Sequence, residues 1–202
     1  MSVNDESEPA SRVAQVRQRV GAYCEDTTPA GCAARLALSV YLGYAGIRHL
    51  QDPFYDDAFG AITLVVHEAG HLVCRGFGRT IYILGGSMMQ LFVPAFVAVY
   101  LLVRQRDWFG CAVGTAWLSF SGWNLATYIG DANKQQLPLA AISPGVPEHD
   151  WANLLTQWHL LNACDAIASN VRLVSFVVWA ESMLLAGWLV VSMIRVHTKR
   201  LR

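Results

Sequence analysis

Apolar residues fall into long runs along this chain, and the runs are what its first elements are read from. Residues 81–103, 108–130 and 171–194 are each almost free of charge. Each is long enough for a membrane-spanning helix, which needs about 20 mostly apolar residues. A fourth run, 58–77, reaches that length only by taking in His67, Glu68 and His71. A fifth, 36–47, is bounded by Arg35 and Arg48 and is too short for an ordinary span. It predicts either a short crossing with snorkelling arginines or a peripheral segment. Between 131 and 170 the pattern changes. Pro138, Pro144 and Pro147 mark a loop. Trp151, Leu154, Leu155, Trp158 and Leu161 then recur at helical spacing opposite Asn153, Thr156 and Gln157. That spacing predicts a helix over 150–168, either lying in the membrane interface or packed on the spanning helices. Residues 1–34 read as a cytoplasmic N-terminal tail. In it Val13, Val16 and Val20 lie among Arg12, Arg17 and Arg19, so a short basic amphipathic helix and a solvated tail are both open. The expected fold is an all-α integral membrane protein, a polytopic bundle of four to five transmembrane helices in a domain spanning 35–202.

Composition supports that class. The chain is 54% hydrophobic and 15% charged, against about a quarter charged in soluble domains. Its basic and acidic residues balance to a formal net charge of zero, so no basic field exists to attract nucleic acid. The five cysteines lack CxxC spacing and predict neither a disulfide framework nor a zinc ribbon. Placement of charge adds topology. Arg104 and Arg106 separate the runs 81–103 and 108–130, and Arg195, Lys199, Arg200 and Arg202 follow the last run. The positive-inside rule puts both groups in the cytoplasm. If 36–47 does not cross, four spans also bring the basic N-terminus there. The opening residues lack the apolar core of a signal peptide. Together these features fit a multi-pass protein of a bacterial inner membrane with a cytoplasmic C-terminus.

The polar intrusion in 58–77 carries the chemistry. His67 and His71 are four residues apart and share one helical face, with Glu68 beside them. In this HExxH arrangement two imidazoles hold zinc, and the glutamate takes a proton from a water that the metal acidifies. Roughly one chain in two hundred of this composition would carry the pattern by chance. Ionisable groups inside a bilayer also cost about 2.5–3.5 kcal/mol each, so they seldom serve as packing alone. The bland alternative is a polar cluster that joins helices through hydrogen bonds.

The segment HEAGHLVCRGFGRTIYILGGS resembles the site-2-protease class of intramembrane zinc metalloproteases, the M50 peptidases. The resemblance covers about residues 58–132, and HExxH is its specific part. It implies a glycine after the motif, here Gly76 or Gly78, then a β-prone stretch. Ile81, Tyr82, Ile83 and Leu84 running into Gly85 and Gly86 would form a short membrane-level strand or hairpin that offers an edge to substrate. It also implies a third zinc ligand, an aspartate from an Asn-containing motif that ends in Asp-Gly on a later helix. The nearest match is NLATYIGDA, in which Asn124, Tyr128 and Asp131 fall on one helical face. Asp131 would ligate the metal, and Asn124 and Tyr128 would orient substrate or an oxyanion. The family's proline is missing, and Ala132 stands where glycine is expected. Alternatives to Asp131 remain open. His149 and Asp150 follow a loop able to fold back over the site, and His149 ranks next. Glu181 lies mid-run in an apolar segment and is the third candidate, while His159 reads better as a surface or core residue. Gln90 and Pro94 suit either a substrate groove or helix packing. Gly114, Thr115, Ser119, Ser121 and Gly122 suit close helix contact.

The expected activity is therefore a zinc-dependent metallopeptidase. It would cut a peptide bond in or near a transmembrane segment of a membrane-protein substrate. A membrane zinc hydrolase acting on a lipid or small amphiphile is the alternative, as is a non-catalytic metal-binding membrane protein.

Overall fold

A computed structural model describes residues 8–138 and 149–200, and among them every regular element is helical. The helices are α1 (Glu8–Asp26), α2 (Pro29–Gln51), α3 (Gly60–Cys74), α4 (Arg79–Val103), α5 (Trp108–Gly130), α6 (Asp150–Gln157) and α7 (Cys164–Arg200), with a 3-10 turn at Leu161–Ala163 before α7. Among the described residues, three helical stretches are long and apolar enough to cross a membrane: Pro29–Gln51, Arg79–Val103 and Leu161–Arg200.

Several boundaries differ from the expectation. The short run 36–47 sits inside α2. Thr28 caps that helix by accepting from the Gly31 amide at 3.1 Å, and Pro29 occupies its first turn, where a proline costs nothing. Its arginines are accommodated on aromatic rings: Arg35 lies 5.6 Å from the Tyr23 ring and 5.7 Å from the Phe109 ring, and Arg48 lies 5.3 Å from the Tyr55 ring. The supposed span 58–77 shrinks to α3, 15 residues, or about 22 Å at about 1.5 Å per residue. Within the N-terminal 34 residues, where a short basic helix is one of the two readings, residues 8–26 form α1, whose Val20 and Cys24 are buried in one cluster with Phe109, Leu189 and Met193. The expected helix 150–168 divides into α6, a turn and the start of α7. Its apolar face packs inward, with Leu154 and Leu155 buried.

No strand occurs among the described residues, so the expected β segment at 81–86 is a correction. Gly78, at φ 92°, closes the connection after α3, and α4 starts at the next residue. Gly85 and Gly86 then serve helix contact: a Cβ on Gly70 would strike the Gly85 carbonyl. Such close packing overrides the β-preference of Ile81 to Leu84.

At the centre lies α5, 23 residues long, with Ala112, Ala116, Phe120 and Ser121 fully buried. Its small residues sit where they were expected to matter. Gly114 faces Ala98 of α4, and Gly122 faces Ser175 of α7.

The chain between α2 and α3 turns back into the bundle. The Ala58 amide donates to the Tyr41 hydroxyl at 2.8 Å, in the middle of α2. Phe59 stacks on Trp117 with centroids 5.8 Å apart, and Trp117 Nε1 donates to Thr63 Oγ1 at 2.9 Å. Helix α3 thus begins beside the middles of α2 and α5. From there it runs toward the C-terminal end of α5, where the His67 and Tyr128 rings are 6.1 Å apart. A buried pair holds this inward turn. His49 Nε2 and Asp57 Oδ2 are 2.9 Å apart, their side chains 1% and 0% exposed, and the His49 ring stacks on Phe120 and Trp123. Removing the carboxylate leaves an imidazole nitrogen unpaired in a dry site, so Asp57→Ala is expected to cost about 1–3 kcal/mol. Thermal melting of the purified protein checks this.

Candidate metal centre

Helix α3 places His67 and His71 on the face turned to α4, and both are buried. Their Nε2 atoms converge on one atom of α6: Asp150 Oδ2 lies 3.1 Å from His67 Nε2 and 3.2 Å from His71 Nε2. What fills the space between them follows from the protons on the outer nitrogens. His71 Nδ1 lies 2.8 Å from the Tyr82 carbonyl oxygen, which can only accept, so Nδ1 carries hydrogen. His67 Nδ1 lies 2.8 Å from Gln90 Oε1. The Gln90 amide is oriented by its Nε2, which donates to the Ser121 carbonyl at 2.9 Å, so Oε1 faces His67 as an acceptor. With hydrogen on Nδ1 alone, each imidazole turns a bare Nε2 lone pair toward that carboxylate oxygen, the arrangement in which the three atoms can hold a cation. With hydrogen on Nε2 as well, the same contacts are hydrogen bonds to Asp150.

Their spacing suits zinc. Ligands about 2.0–2.1 Å from a tetrahedral ion stand about 3.3 Å from one another, close to the two separations seen. The outer contacts are also those of a metal site, since ligating histidines usually donate their other N–H to a carbonyl or carboxylate. Glu68 lies beside the two imidazoles: His67, Glu68 and His71 offer ligand atoms all within 4.8 Å of one another. Glu68 is half-buried, on a stripe that continues through Val65 (57% exposed) and Leu72 (56%).

Glycine makes the pocket possible. A Cβ on Gly86 would lie 2.5 Å from His67 Nε2 and 2.6 Å from His71 Nε2. Neither ring can retreat without losing its Nδ1 partner. Gly86→Ala should therefore abolish metal binding, although alanine is worth about 0.5–1 kcal/mol over glycine within a helix. Loss of metal in inductively coupled plasma analysis, together with a lower melting temperature as the rings give up their Nδ1 partners, is the expected pair of results.

No protein-family model, curated protein or solved structure matches the chain.

The structure does not bring the two foremost third-ligand candidates, Asp131 and His149, to the histidine pair. Asp131 closes the turn after α5: its Oδ1 accepts from the Gln136 amide at 3.0 Å and its Oδ2 from the Leu137 amide at 2.9 Å. The neutral imidazole of His149 has one lone pair, on Nδ1, and it accepts from the Ala152 amide at 3.2 Å. Its Nε2 faces Asp131 Oδ2 at 3.4 Å, long for a hydrogen bond. Burial pushes the His149 imidazole below its ordinary range, against the opposing pull of the Asp131 carboxylate. Glu181 and His159 are exposed, on α7 and after α6 respectively, and neither belongs to the group around the histidines.

Tyr128 was expected to face the site, and it does. Its hydroxyl accepts from the Asp150 amide at 2.9 Å. Gln90 also acquires a definite task, holding His67. The Tyr82 contribution is a backbone carbonyl, for which no side-chain pattern could speak. Trp151 pins α6 in place by donating from Nε1 to Ser87 Oγ at 3.0 Å.

Proposed function

We propose that this chain is a polytopic membrane zinc metallopeptidase, with the metal held by His67, His71 and Asp150. One observation carries the reading: the Nε2 atoms of two imidazoles converge on the same carboxylate oxygen while their Nδ1 atoms meet oxygen acceptors. Bound zinc would supply Lewis acidity for a carbonyl and acidify a water molecule. Glu68 is the proton acceptor for that water and later returns the proton to the departing amine. The Tyr128 hydroxyl accepts from the Asp150 amide, which leaves its own hydrogen to stabilise charge developing on a substrate oxygen. The HExxH element on a membrane helix keeps the resemblance to the site-2-protease class. The aspartate differs from that resemblance in coming from α6, beyond the stretch the resemblance covers.

In the bilayer, α2, α4, α5 and α7 cross, and α3 enters as a half-helix from the inward turn at 52–59. Among the described residues, Arg17, Arg19, Arg35, Arg104, Arg106, Arg195, Lys199 and Arg200 gather at one end of the bundle. Arg48, Arg75, Arg79, Lys134 and Arg172 lie toward the other. The positive-inside rule makes the first end cytoplasmic, with the C-terminus there and the metal centre toward the opposite face, as in a bacterial inner membrane. The substrate is a transmembrane or juxtamembrane segment of another protein. Val65 and Leu72, flanking Glu68 on an outward face, suit an approach from lipid.

Purified full-length protein in lipid nanodiscs tests the proposal. We expect about one zinc per chain and cleavage of single-span transmembrane peptides, with phospholipids left intact. Hydrolysis of lipid instead would favour a membrane zinc hydrolase of amphiphiles. Stoichiometric zinc with neither activity would favour a metal-binding protein without catalysis.

A further inference from the structure

We infer that His149, backed by Asp131, is a positioning residue that sets Asp150 against the two histidines by capping helix α6. The inference rests on the metal-centre reading above. Asp150 is the first residue of α6 and His149 its N-cap, with φ −81° and ψ 103°. A helix start leaves its first amides unpaired, and the usual remedy is a serine, threonine, aspartate or asparagine. Here an imidazole does the work, through the bond from the Ala152 amide to Nδ1. The ring is nearly enclosed, its side chain 1% exposed. It is also held from two other sides. The Tyr128 ring lies 4.3 Å away at an interplanar angle of 31°, and Nε2 faces the Asp131 carboxylate.

Each of these supports also touches the metal ligand or its frame. Tyr128 stacks on His149 with its ring and accepts from the Asp150 amide with its hydroxyl. Asp131 receives the imidazole edge while its oxygens tie the Gln136 and Leu137 amides. The end of α5 and the start of α6 are thus joined at one buried imidazole, one residue before the ligand. An eight-residue helix has little stability of its own, so the direction of its first side chain depends on such anchoring.

A matched pair of amides separates capping from mere space-filling. Asparagine is a strong N-cap, whereas glutamine, one methylene longer, is not among the favoured caps. Zinc affinity of the full-length protein is measured by competition with a chromogenic chelator, alongside the melting temperature of the metal-free form. His149→Asn should stay within about threefold of wild type. His149→Gln should lose about 10–100-fold, the range typical of residues that orient metal ligands. Asp131→Asn should fall in the same direction by a smaller factor. Each should keep its metal-free melting temperature within a few degrees. Equal affinity in the Asn and Gln variants would overturn the capping role, as would wild-type affinity in His149→Gln. Absence of zinc from the wild-type protein would overturn the metal centre itself, and this inference with it.

Discussion

Asp150→Ala should lower zinc affinity by more than about 100-fold, because it removes a coordinating oxygen rather than a residue that orients one. The fold should survive the change. Asp150 lies at the first turn of α6, where the cap is supplied by His149, and the hydrogen bond it donates to the Tyr128 hydroxyl comes from its backbone amide. Removing the carboxylate also leaves the Nδ1 contacts of His67 and His71 in place. Chelator competition and a melting curve on the same preparation check both halves. Asp131→Ala serves as the contrast. Its carboxylate meets amides of the turn after α5 and the far side of His149, so it should weaken binding by a smaller factor. If the two variants changed places, with Asp131→Ala losing zinc and Asp150→Ala keeping it, the ligand set would be wrong.

That contrast marks where the sequence was legible. The HExxH pair was readable because its geometry is local: residues four apart on a helix share a face whatever surrounds them. The small-residue positions of α5 were readable for a similar reason, since Gly114 and Gly122 mark close approach without saying to what. Local pattern also found Tyr128 and flagged Gln90. The proposed third ligand is different. Asp131 fitted a spacing rule on its own helix, yet its carboxylate is spent on the adjoining turn. Asp150 lies 79 residues beyond His71 in the chain, and its approach is set by the packing of α6 on α4 and α5, through Trp151 to Ser87 and through Tyr128. No periodicity encodes such a meeting. Two runs differ in extent from their helices for a related reason. Arg35 and Arg48 bound the apolar run 36–47 inside the longer α2, where each guanidinium has an aromatic ring to lie on. In the other direction, the unbroken hydropathy of 58–77 gave no hint that residues near 58 begin beside the middle of α2, where Tyr41 binds the Ala58 amide.

Glu68→Gln offers the sharpest separation of catalysis from metal binding. The substitution keeps the size of the side chain and removes its ability to take a proton. Zinc should remain near one per chain, because His67, His71 and Asp150 are untouched. Peptide cleavage should fall by about 10²–10⁴-fold, the usual worth of a positioned general base. Stability should hardly move, since Glu68 is half-buried on an outward stripe and glutamine has a similar helix propensity. The three readouts distinguish the possible roles of this residue. Loss of zinc together with activity would make Glu68 a ligand, in keeping with its place within 4.8 Å of both imidazoles. Full activity in the glutamine variant would remove it from the chemistry and with it the mechanism proposed. Retained zinc with lost cleavage is what a proton acceptor beside the metal requires, and it would tie the polar intrusion in this apolar helix to turnover rather than to packing.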